Sequence, residues 1–68
     1  MNNLKLSANI YDESMIIKAI NDYSGISTIN LSYTEKHYIL IFENNKYDVE
    51  ITKKEFENYV IDLMVAES

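Results

Sequence analysis

Thr28-Ile29-Asn30-Leu31-Ser32-Tyr33-Thr34-Glu35-Lys36-His37-Tyr38-Ile39-Leu40-Ile41-Phe42 is the stretch on which the fold turns. In its first part Ile29, Leu31 and Tyr33 alternate with Thr28, Asn30 and Ser32, the period-two pattern of a half-buried strand. A polar break follows at Thr34-Glu35-Lys36, and His37 to Phe42 is a strongly β-forming run, so the segment reads as a hairpin. With a two-residue turn at Glu35-Lys36, Tyr33 faces Tyr38, Leu31 faces Leu40 and Ile29 faces Phe42. Asn44-Asn45 offers a second tight turn, since asparagine tolerates positive φ, and Lys46 to Ile51 then reads as a further strand. In that register Phe42 faces Tyr47, Leu40 faces Val49 and Tyr38 faces Ile51. Both turns thus build one apolar face.

Working outward, Leu4, Leu6, Ala8 and Ile10 alternate with Lys5, Ser7 and Asn9, which predicts an amino-terminal strand. Asp12 is placed to cap a helix over about residues 13–24, with Met15, Ile16, Ala19, Ile20 and Tyr23 on one side and Gly25 as a left-handed stop. At the other end Thr52-Lys53-Lys54-Glu55 matches a capping box, flanked by Ile51 and Phe56 as a hydrophobic staple. Phe56, Tyr59, Val60, Leu63 and Met64 continue as a helical stripe over about residues 53–65. The expected architecture is α+β in the order β-α-β-β-β-α, one domain over residues 1–68. Its sheet is four-stranded and mixed, in order 1-2-3-4, with strand one parallel to strand two through a right-handed crossover and both helices packed on one face.

Composition narrows the function classes. At 68 residues a domain buries only about 60% of its unfolded surface, which leaves little room for an enclosed cleft. Cysteine is absent, so disulfides, thiolate metal sites and cysteine nucleophiles are excluded. Hydrophobic residues at 47% and charged residues at 25% are globular proportions. Eleven acidic residues against six lysines give a net charge of −5, and there is no arginine, the side chain best suited to phosphate and guanine. Nucleic acid is therefore not an expected partner. The alternating amino end does not resemble a secretory signal and no apolar run is long enough to span a bilayer, so the expected compartment is the cytoplasm.

Candidate chemistry is sparse. His37 is the single histidine and stands beside a tight turn, with no orienting acid or nucleophile identified for it by spacing. The acids do not follow a calcium-loop spacing, so no metal site is expected, and no cofactor either. Asp48 and Glu50 would share a strand face, but an open face lacks the burial that separates two carboxyl pKa values. Tyr23, Tyr33, Tyr38, Tyr47 and Tyr59 fall on expected core faces and read as core-edge residues. The expectation is a chain with no catalytic residue.

The surface is more informative. On a sheet covered on one side, Ile39 and Ile41 form an apolar stripe on the uncovered face, framed by Asn30, Ser32, Asp48 and Glu50. That set is the candidate contact surface for a protein or peptide, or for a second copy of the chain. Strands one and four would also leave unpaired edges open to strand addition.

The amino-terminal strand leading into Tyr11-Asp12-Glu13-Ser14-Met15-Ile16-Ile17-Lys18-Ala19, the β meander, and the closing Glu55-Phe56-Glu57-Asn58-Tyr59-Val60-Ile61-Asp62-Leu63 together resemble the HxsD-like small proteins of bacterial His-Xaa-Ser peptide-maturation systems. The resemblance implies a non-catalytic accessory that works beside a radical-SAM maturase on a ribosomally made precursor peptide. It assigns no catalytic residue. A homo-oligomeric or inhibitory interaction module unrelated to peptide maturation is the alternative.

Overall fold

The computed structural model describes residues 2–67 and places in chain order β1 (Asn3–Ser7), α1 (Glu13–Asp22), β2 (Thr28–Tyr33), β3 (His37–Glu43) and α2 (Val49–Glu67). The sheet has three strands in the order β1-β3-β2, and both neighbours run antiparallel to β3. This corrects the four-stranded mixed sheet in order 1-2-3-4. β3 takes the centre for a physical reason: it carries Tyr38, Leu40 and Phe42 on one face and Ile39 and Ile41 on the other, so it gains from neighbours on both sides. β1 and β2, with one polar face each, suit the edges. They run parallel to one another but are separated by β3, which α1 crosses over.

The β2–β3 register is the expected one, with Ile29 opposite Phe42, Leu31 opposite Leu40 and Tyr33 opposite Tyr38. β1 stops at Ser7 because the chain turns there. The amides of Ile10 and Tyr11 both donate to the Ser7 carbonyl, and Ile10 is exposed instead of continuing the strand. Asp12 does cap α1, its carboxylate accepting from the Ser14 amide at 3.0 Å and the Ser14 hydroxyl at 2.9 Å. The helix ends differently from the expectation at Gly25. No glycine has positive φ, and the Tyr23 amide closes the last turn on Ala19 before Ile26 and Ser27 fold back onto Tyr23.

The expected fourth strand over Lys46 to Ile51 does not form. Asn44 does take the left-handed conformation, at φ 52°, but the chain leaves it for a helix. Asn45 donates to the Phe42 carbonyl, and the Lys46 amide donates to Ile26, which pins this loop against the segment before β2. Asp48 then caps α2: the Ile51 amide donates to its carboxylate at 3.1 Å and the Thr52 amide to its carbonyl at 3.0 Å. Thr52 is therefore inside the first turn, buried, with its hydroxyl donating back to the Asp48 carbonyl at 2.9 Å, and the capping box is not formed. Tyr47 and Ile51, expected on the core face, are exposed.

Both helices lie on the Leu6–Leu40–Phe42 face. The core is Leu6, Ile16, Ala19, Ile29, Leu40, Phe42, Phe56 and Val60. Phe56 is its hinge point, meeting Phe42 edge-on at 5.5 Å between ring centroids and Tyr23 at 5.3 Å. Ser27, buried under the Asn44–Asp48 loop, sits with its hydroxyl 2.6 Å from the Asn45 side-chain oxygen and 3.1 Å from the Glu43 carbonyl. Among the described residues no helix is long and apolar enough to cross a membrane.

The α2 start yields a test by substitution. Asp48→Ala is expected to cost about 1 kcal/mol in chemical denaturation by stripping the Ile51 amide of its partner. Thr52→Val, which keeps the buried volume and removes a hydroxyl whose acceptor is already bonded to the Thr52 amide, should cost less. The reverse order would move the helix start to Thr52.

A candidate protein-contact face

The face of the sheet turned away from the helices is assembled by cross-strand rows. Ile41 lies between Asn3 and Asn30, and Ile39 between Lys5 and Ser32. Both isoleucines are half-buried, because side chains from two edge strands flank them, while Asn3, Lys5, Asn30 and Ser32 are exposed. The Asn30 side-chain amide donates to the Glu43 carboxylate at 2.8 Å, and the Ser32 hydroxyl reaches the Ile39 carbonyl at 3.4 Å. The result is an apolar stripe on the central strand with a hydrogen-bonding rim. Its centre is apolar and its margin polar, the division that protein contact surfaces share.

Of the sequence-predicted set, Asn30, Ser32, Ile39 and Ile41 are brought together. Asp48 and Glu50 are not, because they belong to the start of α2. Glu50 lies on the helix side, where it joins Leu4, Lys53, Lys54 and Glu57 around a shallow groove of about 160 Å³. Lys53 bridges that groove, donating to the Asn3 carbonyl at 3.1 Å and pairing with Glu50 at 3.1 Å. The bond from Lys53 holds the Glu50 carboxyl below its ordinary range. Asn3 and Lys5 take the vacated places on the rim of the stripe. Lys5 was legible as the polar side of an alternating strand, but its neighbour was not, because strand one was expected beside strand two.

His37 sits at the end of the β2–β3 hairpin opposite Ser7; its amide donates to the Thr34 hydroxyl and its carbonyl accepts from the Thr34 amide, which closes the turn. Among the described residues no group of three or more histidine, aspartate or glutamate side chains is arranged to hold a metal ion.

Tyrosine–carboxylate pairs clasp the helical layer. Tyr11 donates to Glu57 at 2.8 Å, Tyr59 to Asp22 at 2.5 Å, and Tyr33 to Glu13. Burial, then the Glu57 carboxylate, pushes the Tyr11 phenol up; the bonded carboxylates push Tyr33 and Tyr59 up. Asp22 moves the other way, lowered first by the Tyr59 hydroxyl and then by Lys18 at 3.0 Å. Comparison of the chain with protein-family models, with curated proteins and with solved structures finds no match.

The Asp22 pair sets a pH dependence. A carboxyl lowered by folding contributes stability above its ordinary value of 3.8, and that contribution is lost as pH falls through the lowered folded value. Tyr59→Phe removes the larger cause, so the Asp22 carboxyl should titrate at higher pH in an NMR titration, and the acid-side loss of stability should be smaller and complete at higher pH. An unmoved Asp22 would mean that the Tyr59 hydroxyl does not hold it in solution.

Proposed function

We propose that this chain is a small non-catalytic accessory protein that works by binding another protein through the open face of its sheet. The setting that the HxsD-like resemblance suggests is peptide maturation in the bacterial cytoplasm, with a radical-SAM maturase and its ribosomally made precursor peptide as partners. The observation that carries the reading is the Ile39–Ile41 stripe: two β-branched apolar residues side by side on the central strand, uncovered by either helix and rimmed by Asn3, Lys5, Asn30 and Ser32. Burying such a stripe against a partner supplies the gain, and the rim supplies orientation. The chain's excess of acids favours a partner with a basic surface, chiefly through encounter rate. The second reading, an interaction module unrelated to peptide maturation that assembles with its own copies, draws support from the outer edge of β2.

The test is the double substitution Ile39→Thr and Ile41→Thr, which keeps β-branching and removes the apolar stripe. The fold should survive with a loss of no more than about 2 kcal/mol, since neither residue belongs to the buried core. Calorimetric titration with a radical-SAM maturase of a His-Xaa-Ser system, with and without its precursor peptide, should show the double variant binding at least about tenfold more weakly than the parent. A much larger loss of stability would mean that the face is buried in the monomer. Unchanged affinity would remove the face as the contact.

A further inference from the structure

We propose that the outer edge of β2 is a self-association site, at which a second copy of this chain adds its own β2 antiparallel about a two-fold axis through Leu31. The Phe42 amide donates to the Asn2 carbonyl, so the even-numbered residues of β3 direct their main chains toward β1 and the odd-numbered ones toward β2. Consistently, the Thr34 amide bonds to His37. The main-chain groups of Ile29, Leu31 and Tyr33 therefore point away from the sheet, along an edge with no proline and no lysine to discourage pairing. The other edge is guarded: Lys53 takes the outward carbonyl of Asn3, Lys5 stands on the strand, and the Ser7 carbonyl is occupied by the turn amides.

Charge and shape select a second copy as the occupant. With Leu31 on the axis, Ile29 of each copy pairs with Tyr33 of the other and exchanges main-chain bonds with it, as Leu31 does with its counterpart; Asn30 then stands opposite Ser32 and Thr28 opposite Thr34. Every one of these residues is uncharged, so two chains of net charge −5 meet along a strip that sets no like charges face to face. The helix above reinforces the same axis. α1 runs opposite to β2, with Glu13 bonded to Tyr33 at one end and Tyr23 leading back to Thr28 at the other. Four helical residues and two strand residues cover about the same length, roughly 6 Å, so Ile17 stands level with Leu31 and on the Glu13 side of α1. Ile17 is 43% exposed and Tyr33 57%. Strand pairing through Leu31 would bring both Ile17 side chains together beside the axis and cover each Tyr33.

Sedimentation equilibrium over the micromolar to millimolar range should show the mass moving from 8.0 kDa toward twice that value, more readily as salt screens the net charge. Hydrogen exchange of the Ile29, Leu31 and Tyr33 amides should slow with concentration. Ile17→Lys, at an exposed helix position, sets two cations together at the axis, and Tyr33→Pro removes one outward amide that the monomer does not use. Each should weaken dimerisation by at least about tenfold while circular dichroism stays that of the folded chain. The Ile39→Thr, Ile41→Thr variant should dimerise as the parent does, so the edge and the open face fail or stand separately. A chain that stays at 8.0 kDa throughout, or a dimer indifferent to both edge variants, would overturn the proposal. Protection of the Leu31 amide by an extended basic peptide in a chain that stays monomeric would overturn it in favour of peptide capture.

Discussion

Everything in this small fold depends on β3 being apolar on both faces. Tyr38, Leu40 and Phe42 form the floor on which the helices pack, and the Phe42–Phe56 edge contact joins that floor to α2. The same strand turns Ile39 and Ile41 to the opposite side, where neither helix covers them and the flanking strands leave them half-buried. A strand of this kind is stable only in the middle of a sheet, and its placement there sends β1 and β2 to the edges. The core and the open apolar face are thus two consequences of one strand.

With no disulfide available, the stability of a chain this short rests on how completely that core excludes water. Leu40, Phe42, Phe56, Ile16, Ala19 and Val60 are fully buried, and the two buried polar side chains, Ser27 and Thr52, both have partners. The longer reach of the tyrosines closes the perimeter. Tyr11 and Tyr59 lay a ring on the core margin, the exposed Tyr33 packs edge-on against Tyr38, and each gives its hydroxyl to a carboxylate on another element, which ties α1 to α2 and to β2.

The hairpin was legible because two independent constraints, period-two alternation and a tight turn, admit a single register, and that register is the observed one. The carboxy-terminal half was not, for an equally specific reason. Tyr47, Val49 and Ile51 alternate like a strand, yet Val49, Thr52, Phe56 and Val60 also recur with the spacing of a helix. Local sequence cannot choose between these. What decides is that Asp48, four residues before Thr52, takes the cap and adds a further turn, which carries Lys53 to the Asn3 carbonyl of β1. Losing the fourth strand then freed one side of β3 for β1. Four of the six candidate residues, Asn30, Ser32, Ile39 and Ile41, share the open face because they sit on the hairpin; Asp48 and Glu50 lie at the start of α2, where no strand forms.

The distribution of charge follows from the same division of labour. The three strands carry one lysine and one glutamate between them, Lys5 and Glu43, whereas α2 alone carries Glu50, Glu55, Glu57, Asp62 and Glu67 against Lys53 and Lys54. The negative excess of the chain therefore belongs to the helical layer and its loops, and the sheet is close to neutral. Screening acts strongly on the first and weakly on the second, because the contacts proposed for β2's edge and for the Ile39–Ile41 stripe would depend on main-chain bonds and apolar burial. Salt should then separate two events that binding measurements ordinarily merge. Encounter with a basic partner slows as ionic strength rises, while the lifetime of a complex seated on the sheet stays nearly constant. An acidic helical layer behind a nearly neutral sheet thus keeps the charge that would attract a basic partner apart from the two surfaces proposed to make contact.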